Sequence, residues 1–171
     1  IFVVLTPGLP INVPAFLGDM LADLEQLGLQ HCHYCGSREI QGGNWKVAYD
    51  GFLEGYHFAA LHPNTIHQRV INNVMHYDAA GPHLRTGFAQ RNIRALRELP
   101  PEQWWTRENN GYDFVRALFP NVSVFLAPEI GQIAQLLPGP TAGRNRTILN
   151  FVSPRPPQTP DDTKRLGHMM T

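Results

Sequence analysis

Three short runs in the second half of the chain alternate side chains with period two: Val122/Val124/Leu126, Ile133/Gln135/Leu137 and Thr147/Leu149/Phe151. That period puts every second side chain on one face of a pleated strand. Tight turn signals separate the runs, Ala127-Pro128-Glu129 and the stretch PGPTAGRN that begins at Pro138. Links of this kind join antiparallel neighbours, so a β-meander is expected.

More elements fit around that meander. An apolar, β-branched run at 1–5 closes on Thr6-Pro7-Gly8 and reads as a strand ending in a turn. Pro14 opens a predicted helix whose face carries Phe16, Leu17, Met20, Leu21, Leu24 and Leu27, with Gly28 as its stop. Strands are expected at 31–40, Val70–Met75 and Leu84–Gln90, the last two joined through Ala80-Gly81-Pro82. Residues 93–118 mix short helical pieces with Pro100-Pro101 and Gly111. The fold class is α+β, an antiparallel β-sheet with packed helices. Near the end, Thr159 suits an N-cap, Pro160 a first helical residue, and Asp161 and Asp162 the first turn. Leu166, Met169 and Met170 begin an apolar helix face just before the sequence stops at Thr171. The chain is therefore expected to be a segment of a longer protein.

Composition narrows the partners. A chain of 171 residues with 43% hydrophobic and 16% charged side chains can bury one sizeable core. Net charge is +0 and no Lys/Arg run occurs, which argues against nucleic acid. No apolar run is long enough to span a membrane, and the first residues lack the pattern of a signal peptide. The two cysteines, Cys32 and Cys35, are too few for a disulfide scaffold. A cytoplasmic protein acting on a small molecule or another protein is expected.

The stretch Glu54-Gly-Tyr56-His57-Phe58-Ala-Ala-Leu-His62-Pro63 holds the chemistry. Asp50 is expected to cap a helix running to about Leu61, which would place Glu54 and His57 on one face. His57 and His62 are five positions apart, about 140° around an ideal helix. Pro63 disfavours helical geometry at His62, so the helix should end there and let His62 turn back toward His57. A shared metal then becomes feasible. A zincin does not fit, because that motif needs His-Glu-x-x-His. The pattern is also compatible with a zinc-dependent hydrolase using the same histidines, or with a non-catalytic ligand-binding domain in which they are incidental.

A longer string carries a resemblance. Asn44-Trp45-Lys46, Asp50, Glu54-x2-His57-x4-His62 and Pro63 resemble the catalytic domain of the Rieske non-haem iron oxygenases, the aromatic ring-hydroxylating oxygenases, in their large or alpha subunit. Residues 1–8 resemble the last strand of that family's Rieske domain, and 9–171 its mononuclear iron domain with an incomplete C-terminal helix. FPNVSV, from Phe119, and the stretch LLPGPTAGRNRTILNFVSP, from Leu136, resemble its later strands.

The resemblance implies a helix-grip-like fold and a terminal oxygenase that activates O2 at mononuclear Fe(II), hydroxylating an organic, often aromatic, substrate. His57 and His62 would bind the iron as neutral imidazoles. The third ligand, an aspartate, is expected beyond Thr171, and Asp161 and Asp162 are read as helix-start residues. Glu54 would be the carboxylate that bridges to a Rieske histidine of the next subunit. Electrons would come from NAD(P)H through a reductase, sometimes with a ferredoxin, to a Rieske [2Fe-2S] cluster in a trimer. Phe52, Phe58, Phe119 and Asn121 are candidates for the substrate pocket, and Trp45 and Tyr56 are read as core aromatics. Gly51 stands where the family often has asparagine, which weakens any inference about substrate. His31, Cys32, His33 and Cys35 are read as incidental to a strand, because no second Cys/His pair exists for a cluster. His67, His76, His83 and His168 show no ligand pattern.

Overall fold

The computed structural model describes residues 2–104 and 111–170. The helical elements are α1 (Val13–Leu17), α2 (Met20–Gln26), α3 (Trp45–Gly51), α4 (Phe58–Leu61), α5 (Ile66–Arg69) and α6 (Pro160–Met169), with short 3-10 turns between some of them. The strands are β1 (His33–Gly42), β2 (Val70–Ala80), β3 (His83–Gln90), β4 (Tyr112–Leu118), β5 (Val122–Leu126), β6 (Gly131–Pro138) and β7 (Asn145–Ser153). They form one sheet in the order β1-β7-β6-β5-β4-β3-β2, with every pair antiparallel. The expected α+β class and the β5-β6-β7 meander are what is found.

Directly opposed residues in a ladder share a face, so the registers divide the core in two. One face carries Leu118, Val122, Val124, Leu126 and Ile133, and α1 and α2 pack on it through Leu17 and Met20. The other carries Val115 and Phe88 at one end and Ala134, Leu136, Leu149 and Phe151 at the other. Helices α3 to α5 cover this second face, joined by Met170 from the end of α6. Sheet burial on both sides explains β6, where the run Ile133/Gln135/Leu137 suggested one inward face. Ala134 and Leu136 are the buried pair on the site side, while Ile133 packs against α1 and α2.

Several expectations are corrected. The single helix from Pro14 is two, because Gly18 adopts φ 51° and closes α1 by donating to the Pro14 carbonyl at 2.9 Å. Leu17 and Met20 flank the break and still reach one core. Residues 2–8 form no strand; an apolar run becomes one only beside an edge with which to pair, and Ile1 lies outside the described residues. The 93–118 segment ends in a full strand, β4, which its charged residues disguised; 105–110 lie outside the described residues. Asp113 receives Arg69 and Gln90, and Arg116, 7% exposed, is paired with Asp23 of α2. α6 begins as expected, with a reciprocal capping box between Thr159 and Asp162. Among the described residues, no helix is long and apolar enough to cross a membrane.

Candidate functional site

The site is built on the covered face, where the chain crosses from α3 to β2. Asn44, not Asp50, caps α3: its side chain accepts the Lys46 N–H at 2.9 Å, and its amide donates to the Ala142 carbonyl at 2.6 Å. Asp50 lies inside that helix, and the helix ends at Gly51. Glycine is a poor helix residue, and the chain now runs without helix to His57. The expected continuous helix from Asp50 to Leu61 is therefore replaced by α3, a turn and α4. Ala48, Tyr49 and Phe52 root the start of this segment on β6 and β7, and Leu53, Phe58 and Ile66 root its end on β2, β3 and β4.

Glu54 and His57 still meet. One carboxylate oxygen of Glu54 contacts His57 Nδ1, and the other accepts the Tyr56 N–H at 2.5 Å. A carboxylate accepts, so a neutral His57 ring carries its proton on Nδ1 and leaves the Nε2 lone pair for a ligand. Their side chains are 23% and 32% exposed, so the pair is sheltered but reachable. α4 ends at Leu61, and His62 takes φ −126° and ψ 44°, out of the helical region as Pro63 requires. Its ring returns to 5.4 Å from that of His57, centroid to centroid. Phe58 is the anchor beneath: 7% exposed, it lies 4.7 Å from the His57 ring and 5.2 Å from Phe88 of β3.

Two imidazoles therefore converge, one with its tautomer set by a carboxylate, an arrangement characteristic of metal-binding histidines. Nitrogen donors of this kind suit Fe(II) and Zn2+ alike. Among the described residues no three His, Cys, Asp or Glu side chains form a complete ligand set. The residues present fit two positions of a metal site. Asp162 is engaged in the α6 capping box, and Asp161 lies beside it in the first turn.

The remaining candidates are dispersed. Phe52 packs toward β6 and β7, and Phe58 toward β2 and β3. Phe119 is 56% exposed, and Asn121 donates to the Leu136 carbonyl at 3.0 Å as a strap between strands. A cleft of about 310 Å³ does exist, between the β5-β6 turn and α6, lined by Glu129, Arg155, Asp162 and Arg165 among others. None of Glu54, His57 or His62 borders it. Tyr56, read as a core aromatic, is 68% exposed, between buried Gly55 and half-buried His57. Trp45 is half-buried under the Lys46 ammonium, 5.7 Å from its ring. Cys32 and Cys35 are free thiols. His83 is a satisfied core histidine, bonded to the Phe16 carbonyl at 2.9 Å and the Phe119 N–H at 3.1 Å.

Spacing alone missed the residues of β2 that touch the site loop. Tyr77 donates to the Leu53 carbonyl at 3.1 Å, and Met75 Sδ accepts the Gly55 N–H at 3.1 Å. Burial, then the neighbouring Tyr56 and Glu54, push the Tyr77 phenol above its ordinary pKa. Only the register of β2 against β3 reveals that Met75 and Tyr77 face the site.

Residues 29–171 match the family described as ring hydroxylating alpha subunit, catalytic domain. No curated protein sequence matches the chain. Among solved structures, a quaternary ammonium Rieske monooxygenase, CntA, in complex with L-carnitine is 12% identical with a TM-score of 0.68, over 95% of this chain and 41% of that one. The same enzyme with an inhibitor is 13% identical at 0.68, over 92% and 40%. A naphthalene 1,2-dioxygenase with indole in its active site is 14% identical at 0.58, over 92% and 42%. This chain thus spans about two-fifths of the length of these proteins, and at such identities the likeness is one of fold.

Proposed function

Because the chain belongs to the ring-hydroxylating alpha-subunit family, in its catalytic domain, we propose that it is the iron-binding part of a terminal oxygenase. The observation that carries this reading is the return of His62 to the His57 ring beside the Glu54–His57 contact. His57, through Nε2, and His62 would hold mononuclear Fe(II), with an aspartate beyond Thr171 completing the set. The bound metal would supply O2 activation, so that an organic substrate, aromatic in the first instance, is hydroxylated by mono- or dioxygenation.

The chain's own residues do the rest. Glu54 fixes the His57 tautomer and orients the ring. Its partly exposed carboxylate suits a second role, as the bridge to a Rieske histidine of the adjacent subunit in a trimer. The [2Fe-2S] cluster would belong to the preceding domain, of which 1–8 are the tail. Reducing equivalents would come from NAD(P)H through a reductase, with a ferredoxin in some systems. The structural relatives bind chemically different ligands, L-carnitine and indole. Family membership supports this reading over a zinc hydrolase or a bare ligand-binding domain.

The test is O2 uptake by the complete alpha subunit with NADH and its reductase. Substrate-driven uptake is expected, with loss of at least about a hundredfold in Glu54→Gln, an interaction needed for turnover. Uptake by Glu54→Gln at the parental rate would overturn the assigned bridge.

A further inference from the structure

We propose that Tyr77 is a positioning residue for the Glu54–His57 pair, acting through the turn that carries Glu54. The inference rests on the reading of His57 and His62 as metal ligands. Glu54 is flanked by two backbone groups that β2 side chains hold. Before it, the Leu53 carbonyl accepts from the Tyr77 hydroxyl at 3.1 Å. After it, the Gly55 N–H donates to Met75 Sδ at 3.1 Å, and the Tyr77 hydroxyl lies 3.4 Å from the same sulfur. These four groups form one small polar cluster that clamps the turn from both sides of Glu54.

The clamp has a floor. An alanine Cβ at Gly55 would lie 2.8 Å from the Asn72 carbonyl oxygen, so the turn sits directly on the β2 backbone. Residues 52–57 are neither helix nor strand, so their conformation is not set by a helical hydrogen-bond ladder. The clamp fixes the backbone on either side of Glu54, from which its side chain reaches His57 Nδ1. Tyr77 is 48% exposed and Tyr77→Phe removes only the hydroxyl, so its loss should leave the fold in place.

The test uses this chain without metal, at pH 8, where an ordinary histidine is neutral. Nitrogen-15 NMR of the His57 ring reports which nitrogen carries the proton. The parent should show the Nδ1–H form. Tyr77→Phe, and independently the similar-sized Met75→Leu, should shift His57 toward the tautomer mixture of a free imidazole, with unchanged far-UV circular dichroism. Co(II) titration of the same variants should show affinity lowered by up to about tenfold, the low end for partners of metal-binding histidines. If both folded variants keep the parental His57 tautomer, the positioning role is wrong. Failure of the metal reading appears separately, as Co(II) binding that His57→Ala leaves unchanged.

Discussion

Replacing Gly55 by alanine tests how the site loop is held. The added methyl would meet the Asn72 carbonyl oxygen at 2.8 Å and Phe58 Cε2 at 3.3 Å. Neither can yield cheaply: the first belongs to the β2 backbone, and the second to a ring 7% exposed and packed on Phe88. Overpacking of this kind costs about 1–3 kcal/mol. Gly51 is the internal control, because a Cβ there meets nothing within 4 Å and the residue sits in α3. Gly51→Ala should stabilise by about 0.4–1 kcal/mol through the unfolded chain. In urea, with a slope of about 1–3 kcal/mol/M, the two midpoints should part by about 1 M, in opposite directions from the parent. Equal midpoints for the two variants, or a Gly55→Ala variant as stable as the parent, would refute the close approach of the turn to β2.

Two further outcomes follow from groups away from the site. Asp23 accepts from Arg116 at 2.5 Å and Arg85 at 2.8 Å, so Asp23→Ala leaves Arg116 buried and unpaired and should cost about 3 kcal/mol in equilibrium denaturation, the low end for a buried pair because Arg85 remains partly solvated. Burial raises the Asp23 pKa, but Arg116 and Arg85 outweigh it and hold the carboxyl below 3.8; its contribution is therefore present above that value and lost as pH falls through the depressed one, so the variant should lose less stability than the parent on acidification below about pH 4. Burial pushes the Tyr49 phenol up to about 12, so its contribution is intact below about pH 10 and lost as pH rises through the folded value; a Tyr49→Phe variant should show a flatter alkaline limb in thermal melts.

Much of this was legible in the sequence because it depends on local rules. Alternation and tight turns gave β5 to β7, the Thr159-Pro160-Asp-Asp run gave the start of α6, and Pro63 explained the bend at His62. The misses share a different cause. β4 was hidden because Asp113 and Arg116 break an apolar pattern, and their partners lie far away in sequence. The break at Gly18 is a backbone choice that leaves the apolar face of Leu17 and Met20 intact, so periodicity does not register it. Asn44 won over Asp50 as a cap because its amide also reaches Ala142, a contact made only in the folded chain. The clamp from Met75 and Tyr77 depends on strand register, and so on the whole sheet.

The most direct measurement of the central claim is Co(II) titration of the chain by visible absorbance, comparing the parent with His57→Ala, His62→Ala and, as a control, the exposed His76→Ala. The account predicts that the first two each lose about tenfold or more in affinity while His76→Ala matches the parent. Equal binding by all four would contradict it, and His57 and His62 would then be neighbours without a shared ligand.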